Sequence, residues 1–465
     1  MALFLVICVF LVILKLTRYL GINYNLDSVV IRLNLVELKK DEYTKFVKNN
    51  PYKSHFLQSY EWGELVKKER GLTPIYLGLK EKGKIVGATL LLKKKLPLGL
   101  CYLYAPRGYV INFKDFTVLD KFTEEIVSFA KKEKAIYVKI DPDIVWKKEN
   151  YKGEVTLEEA KDKKIYNELL RLGYKHLGFT KNFETMQPRF TFRIDLEQSM
   201  EEIENHFSKT TKQRIAKARK LATEVEIGTA DDLVTFYHLM MLTESRKDFV
   251  SYNIEYYKTL YQLFNEENKA TLFLGKVNIP LTLEIIEKDK EEVLEKIEAL
   301  PKDNLSKSAK NKLKELTRQK DKLEEEIAKY QTYLQEYGEI VTLSAHLILE
   351  YGDKAWVLYA GNHNILTETY VNYNTYYEHL KFCKDRGLKI YDQFGTIGDL
   401  NPNNPRLGLH EFKKKFGGDY IEFMGEFDYV ISPFYYFAFT KLVPIYRNII
   451  KRRKKKELKN EIERD

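Results

Sequence analysis

KIYDQFGTIGDLNPNNPRLGLHEFKKKFGG, Lys389 to Gly418, is the stretch from which the rest of the chain can be read. It opens as a strand at Ile390 and Tyr391, breaks at Gly395 and Gly398, crosses a loop of Asn and Pro, and re-enters order at Leu407. A strand ending in Asp392 and Gln393 delivers polar groups to a rim. The loop after it lacks apolar periodicity, so its glycines and prolines shape a path rather than a core. Lys413, Lys414 and Lys415 then set three positive charges between Phe412 and Phe416. That pattern suits a grip on an anion beside an aromatic face, and equally a solvated basic edge.

Outward from this stretch, strands and helices alternate. Toward the N-terminus VVIRLNLV reads as a strand, Trp62 sits on a helix, and PIYLGLKEKGKIVGATLLL reads as a hairpin turning at Gly83. TVLDKFTEEIVSFAKKE has apolar residues at helical spacing, and AIYVKI is a buried strand. A second α/β unit begins near Asp195, with helices through SKTTKQRIAKARKLA and DDLVTFYHLMMLTES, and resumes at Val341 after an insertion. The insertion, 283–337, is rich in Lys and Glu. Leu316, Lys320, Leu323, Ile327, Tyr330, Leu334 and Tyr337 alternate at four and three, a heptad seam; Leu283, Ile286, Val293, Leu294, Ile297 and Leu300 offer a facing stripe. With Pro301 to Ser308 between them, the halves are expected to fold back as an antiparallel helical hairpin, the alternative being a dimerising coiled coil.

The 465 residues exceed one ordinary core, and the formal charge of +10 suits a polyanionic partner, either nucleic acid or an anionic membrane face. Cys8, Cys101 and Cys383 are widely spaced, which supports neither a disulfide framework nor a zinc site. Ala2 to Leu14 is apolar and is followed by Lys15 and Arg18; that order of charge is expected of a membrane anchor in residues 1–28 with the rest of the chain in the cytoplasm. A basic tail, 446–465, carries Lys451 to Lys456, KRRKKK.

Ordered motifs run along this frame: Gln58-Ser59-x-x-Trp62-Gly63, Tyr104-Ala105-Pro106-Arg107-Gly108, Tyr137 to Pro142 (YVKIDP), Gln187-Pro188-Arg189, Tyr256-Tyr257, Tyr359-Ala360-Gly361, Tyr391-Asp392 with Gly395, and Phe412-Lys413-x-x-Phe416-Gly417. Together they resemble the Fem family, the tRNA-dependent aminoacyltransferases that build peptidoglycan cross-bridges. The resemblance implies tandem acetyltransferase-like (GNAT) α/β folds, residues 29–190 and then 191–282 with 338–445, and a coiled-coil arm at 283–337. It implies aminoacyl-tRNA as donor and a peptidoglycan precursor, lipid II or UDP-MurNAc-pentapeptide, as acceptor, at the cytoplasmic face of the membrane. No cofactor and no metal are expected: a tRNA ester is already activated, so the enzyme has to orient an amine, accept its proton and stabilise an oxyanion.

The same resemblance assigns the tRNA end to Phe412 and Lys413, with Lys413 neutralising the oxyanion or a terminal phosphate and Phe412 stacking on adenosine. It assigns the muramyl peptide to Tyr137 and Asp141, four apart and therefore on one strand face; Asp141 also reads as a turn residue before Pro142. Tyr256 and Tyr359 match substrate-cavity tyrosines. Where the family places a pyrophosphate-binding Lys and Arg, this chain has Val66 and Tyr252, leaving Lys67 and Arg246 as neighbouring candidates. Lys209, Lys212, Arg214 and Lys217 line a basic helix expected to track tRNA phosphates. Two other readings are a coenzyme-A-dependent N-acyltransferase, for which the sequence lacks a pyrophosphate loop, and a membrane-bound coiled-coil scaffold, which leaves the ordered motifs unexplained.

Overall fold

A computed structural model describes residues 33–50, 55–158, 163–246, 251–301 and 306–442. The expected anchor and the basic tail lie outside the described residues. Among the described residues no helix is long and apolar enough to cross a membrane.

Two sheets organise the chain. The strands are β1 Leu33–Glu37, β2 Thr73–Glu81, β3 Lys84–Lys95, β4 Cys101–Ala105, β5 Ala135–Ile140, β6 Val145–Glu149, β7 Val155–Leu157, β8 Tyr174–His176, β9 Phe190–Asp195, β10 Thr223–Gly228, β11 Ala270–Asn278, β12 Ile340–Tyr351, β13 Lys354–Asn362, β14 Ile390–Asp392, β15 Asp419–Phe423 and β16 Phe427–Val430. The first sheet has seven strands in the order β1-β2-β3-β4-β5-β16-β8, and the second nine, β10-β11-β12-β13-β14-β9-β15-β6-β7. β2 and β3 form the hairpin read from the sequence. Lys82 and Gly83 at its tip both have positive φ, 47° and 82°, which matches the right-handed twist of the flanking strands.

Sheet pairing crosses the boundary drawn at residue 190. β16, nearly the last element, inserts between β5 and β8 of the first sheet, while β6 and β7 extend the second. The hydrophobic core crosses it as well. Trp62, Leu65 and Val66 of the helix Tyr60–Arg70 share one cluster with Tyr256, Tyr257 and Leu260 of the helix Ile254–Asn265 and with Trp356 of β13. Gly63 lets that helix lie close to β2, since a Cβ there would sit 2.1 Å from the Tyr76 hydroxyl.

The insertion folds as helices Ile279–Glu298 and Lys307–Tyr337. Leu283 and Ile286 of the first pack with Ile327 and Tyr330 of the second, and the Ile279 N–H donates to Glu339 O at 2.8 Å where the pair leaves the sheet. Of the expected seam, Leu316, Ile327 and Tyr330 are buried while Tyr337 is exposed near the base.

Candidate active site at the junction of the two sheets

The stretch 389–418 supplies one wall. β14 sits between β13 and β9, so Asp392 arrives buried at the sheet end. There it accepts from Arg193 Nε at 2.7 Å and from the Phe394 N–H at 2.8 Å, and Thr191 Oγ1 donates to it as well. Gly395 follows at φ 43°, tight against Pro188, whose Cγ would lie 3.0 Å from a Cβ. Lys413, on the helix Leu407–Lys414, points inward: its Nζ donates to Gln393 O at 2.7 Å, to Gly395 O at 2.7 Å and to Phe394 O. Burial pulls this ammonium down to about 7 while Asp392 acts the other way. Only a protonated amine has three N–H groups for three carbonyls, so the cage favours the charged form.

In this arrangement the three Lys413 hydrogens are directed at the three carbonyls of the 393–395 turn. Lys414 is exposed, and the side chain of Phe412 is half-buried edge-on to Tyr373 and Tyr376.

The opposite wall comes from the first sheet. Asp141, just past β5, is buried and accepts the Arg107 backbone N–H at 2.7 Å. Burial raises its carboxyl to about 7 against the pull of the Arg107 charge. The turn carrying Arg107 is fixed from beneath by Gln58, whose amide donates to Pro106 O at 2.7 Å and whose Oε1 accepts from Leu90 N at 2.8 Å. The Arg107 guanidinium donates to Pro188 O and lies 4.1 Å from the Phe423 ring centroid. It lines a small cavity between the sheets with Phe423, Thr191, Asp392, Phe394 and Gly395. Tertiary structure thus brings the Asp141 and Lys413 motifs to one cavity through Arg107 and Gly395. The sequence motif YAPRG marks Arg107 without giving it a role; its place at the cavity comes from the fold.

Tyr137 shares the strand face of Asp141, as the spacing requires, yet does not meet it over an open pocket. Lys139 stands between them, paired with Glu426 and Asp428 at 3.0 Å each. The Tyr137 ring stacks on Tyr102 at 5.2 Å and packs against Tyr436 and Phe439.

Tyr256 and Tyr359 do converge. Their hydroxyls are 3.1 Å apart, and Tyr252 stacks on Tyr256 at 3.9 Å. The cation in this cluster is Arg70, which donates to the Tyr252 hydroxyl and lies 5.7 Å from the Tyr256 ring centroid. Lys67, one turn earlier, is exposed and paired with Glu64 at 3.2 Å. Arg246 caps its own helix by donating to Leu242 O at 2.9 Å and reaches Asn362 O. Neither expected cation joins the tyrosines. Position 70 could have been found as the residue two turns beyond Trp62 on the same helix face. Rings connect this cluster to the cavity: Arg70 over Trp62, Trp62 on Phe56 at 5.4 Å, and Phe56 against Phe394 at 6.0 Å.

The basic helix forms as Lys209–Lys220, with Ser208 as its N-cap. Arg219 and Lys220 pair with Glu378 and Asp289. Among the described residues Lys209, Lys212, Arg214 and Lys217 have no carboxylate partner. Lys209 and Lys212 are exposed; Arg214 donates to the Tyr373 hydroxyl, and Lys217 lies over Tyr370. Because Tyr373 also packs on Phe412 and Phe416, and Ser208 N donates to Lys415 O at 2.9 Å, this helix adjoins the wall that carries Lys413.

Known proteins match this arrangement. The family model described as the FemAB family matches residues 38–443. A lipid II:glycine glycyltransferase of Staphylococcus epidermidis is 29% identical over 414 residues, covering 88% of this chain and 95% of that protein. One from Staphylococcus aureus is 30% identical over 409 residues, covering 85% and 93%. The crystal structure of FemX superposes with a TM-score of 0.70 at 27% identity, over 87% of this chain and 98% of that one.

Proposed function

Because this chain belongs to the FemAB family, we propose that it is an aminoacyltransferase that moves an amino acid, glycine first among candidates, from aminoacyl-tRNA to the stem-peptide amine of lipid II. The observation that carries the reading is the near full-length likeness to lipid II:glycine glycyltransferases, together with a small cavity lined by Arg107, Asp392 and Gly395, behind which Asp141 holds the Arg107 N–H and Lys413 holds the Gly395 carbonyl. At the sheet junction beside it the amine nitrogen attacks the ester carbonyl, the N–C bond forms, and the C–O bond to the tRNA ribose breaks. Asp141, with a carboxyl near 7, takes the amine proton and returns it to the leaving ribose oxygen. Arg107 replaces Lys413 as the charge that faces the oxyanion, because its guanidinium lines the cavity.

The basic helix tracks the tRNA, and Phe412 beside it meets the terminal adenosine. Arg70 with Tyr252, Tyr256 and Tyr359 takes the anionic part of the acceptor, in place of Lys67 and Arg246. The two α/β units are acetyltransferase-like, and the hairpin 283–337 is a coiled-coil arm. The protein works at the cytoplasmic face of the membrane.

Incubation with a mixture of charged tRNAs and lipid II, followed by product mass, tests the reaction. A mass increase of one or more aminoacyl units is expected with charged tRNA and none with acyl-coenzyme A; the reverse pattern would favour the N-acyltransferase reading. Arg107→Lys should lower turnover by about 10²-fold or more, the cost typical of losing one oxyanion donor. Wild-type turnover in that variant would remove Arg107 from the mechanism.

A further inference from the structure

We propose that one rim of the first sheet is a docking surface for an anionic lipid bilayer. Strand register assembles it. Lys95 pairs with Cys101 at the β3–β4 end, Cys101 with Ala135 at the start of β5, and Val430 of β16 with Tyr137, so these ends are neighbours along one edge of the sheet. At that edge the β3–β4 tip exposes Lys94, Lys95 and Leu98, and the end of helix Phe116–Lys132 exposes Lys131, Lys132 and Lys134. The chain then leaves β16 through the helical segment 433–442. Phe439 anchors this segment on Tyr102 of β4 at 5.8 Å, and its outer face carries Phe434 and Phe437.

Two properties single the rim out. Leu98 is 83% exposed, Phe434 74% and Phe437 57%, large apolar groups that water solvates poorly. Among the described residues Lys94, Lys95, Lys131, Lys132 and Lys134 have no carboxylate within ion-pair distance; Glu133, the acid beside them, is taken by Lys93 at 2.5 Å. Apolar side chains for the acyl boundary and unpaired cations for phosphate headgroups are the two terms of interfacial membrane binding. Nucleic acid fits less well, since Leu98, Phe437 and Leu442 present no hydrogen-bonding edge.

The proposal does not need the transferase reading. Thr73 pairs with Lys93, so the helix carrying Arg70 ends at the same edge, and docking there would bring that cluster close to the headgroups.

The test is co-sedimentation of the full chain with vesicles of phosphatidylcholine, alone or with phosphatidylglycerol, neither containing an aminoacyl acceptor. Preferential, salt-sensitive binding to the anionic vesicles is expected. Lys94→Glu with Lys95→Glu should weaken it at least about tenfold, since each surface cation is worth roughly fivefold. Leu98→Ser with Phe434→Ser and Phe437→Ser should weaken it similarly at unchanged melting temperature. Equal partition of wild type and both variants would overturn the proposal. So would binding that tRNA, but not lipid, draws from these residues.

Discussion

At Lys413 a charge that the sequence sets beside two phenylalanines is turned inward to hold three carbonyls of the 393–395 turn. Removing it should cost more than chemistry. Lys413→Ala leaves those carbonyls buried without a donor, at about 1–3 kcal/mol, and should lower both the denaturation midpoint and turnover. A variant with normal stability and abolished transfer would return Lys413 to direct catalysis. Asp141 gives a pH signature with a definite sign. Its carboxyl is raised in the folded state to about 7 from the ordinary aspartate value near 4, so its contribution to stability is complete below about 4 and is lost as pH rises toward 7. Asp141→Asn, neutral throughout, should gain stability relative to wild type across that window and run parallel to it above 7. Urea midpoints between pH 4 and 8 measure this, and a constant difference would mean that the buried carboxyl does not titrate there.

The helix Lys209–Lys220 separates charges that a helical wheel leaves together. Lys209 and Lys212 are exposed, whereas Arg214 and Lys217 lie over Tyr370 and Tyr373. Lys209→Glu with Lys212→Glu should therefore weaken binding of charged tRNA, and lower the salt slope by about 0.7–0.9 for each lost phosphate contact, without moving the melting temperature. Arg214→Glu should do both, because it also breaks the contact with Tyr373. Filter binding over a salt series, beside a thermal melt, distinguishes the two; identical slopes for wild type and the double variant would make this face ordinary solvated surface. The insertion was more transparent. Its seam is local in sequence, and the residues that face inward are largely those the spacing named.

Across the whole molecule the exchange of strands makes the halves interdependent. β16 completes the first sheet from the far end of the chain, and β6 with β7 extend the second, so a fragment ending near residue 190 would lack the strand that joins β5 to β8. The shared core around Trp62 and Tyr257 adds to this coupling. Calorimetry should show one cooperative transition with matching calorimetric and van't Hoff enthalpies, and residues 29–190 expressed alone should not give native-like near-ultraviolet dichroism. Two resolved transitions would contradict that dependence.

The sequence by itself determined what is local. The apolar runs of β2, β3 and β5, the turn at Gly83, the apolar spacing of the helices and the heptad spacing of the helical hairpin all follow from neighbours a few residues apart. Its ordered motifs also carried the family, because residue identity at fixed spacing needs no contact map. Tertiary structure alone decided which of those motifs face one another. Asp141 meets Arg107 across 34 residues and Lys413 meets Gly395 across 18, while Arg70, not Lys67 or Arg246, reaches a tyrosine 182 residues away. Side-chain partners at such separations depend on strand order and on which cation burial leaves without a carboxylate, and neither is written in any short window of the chain.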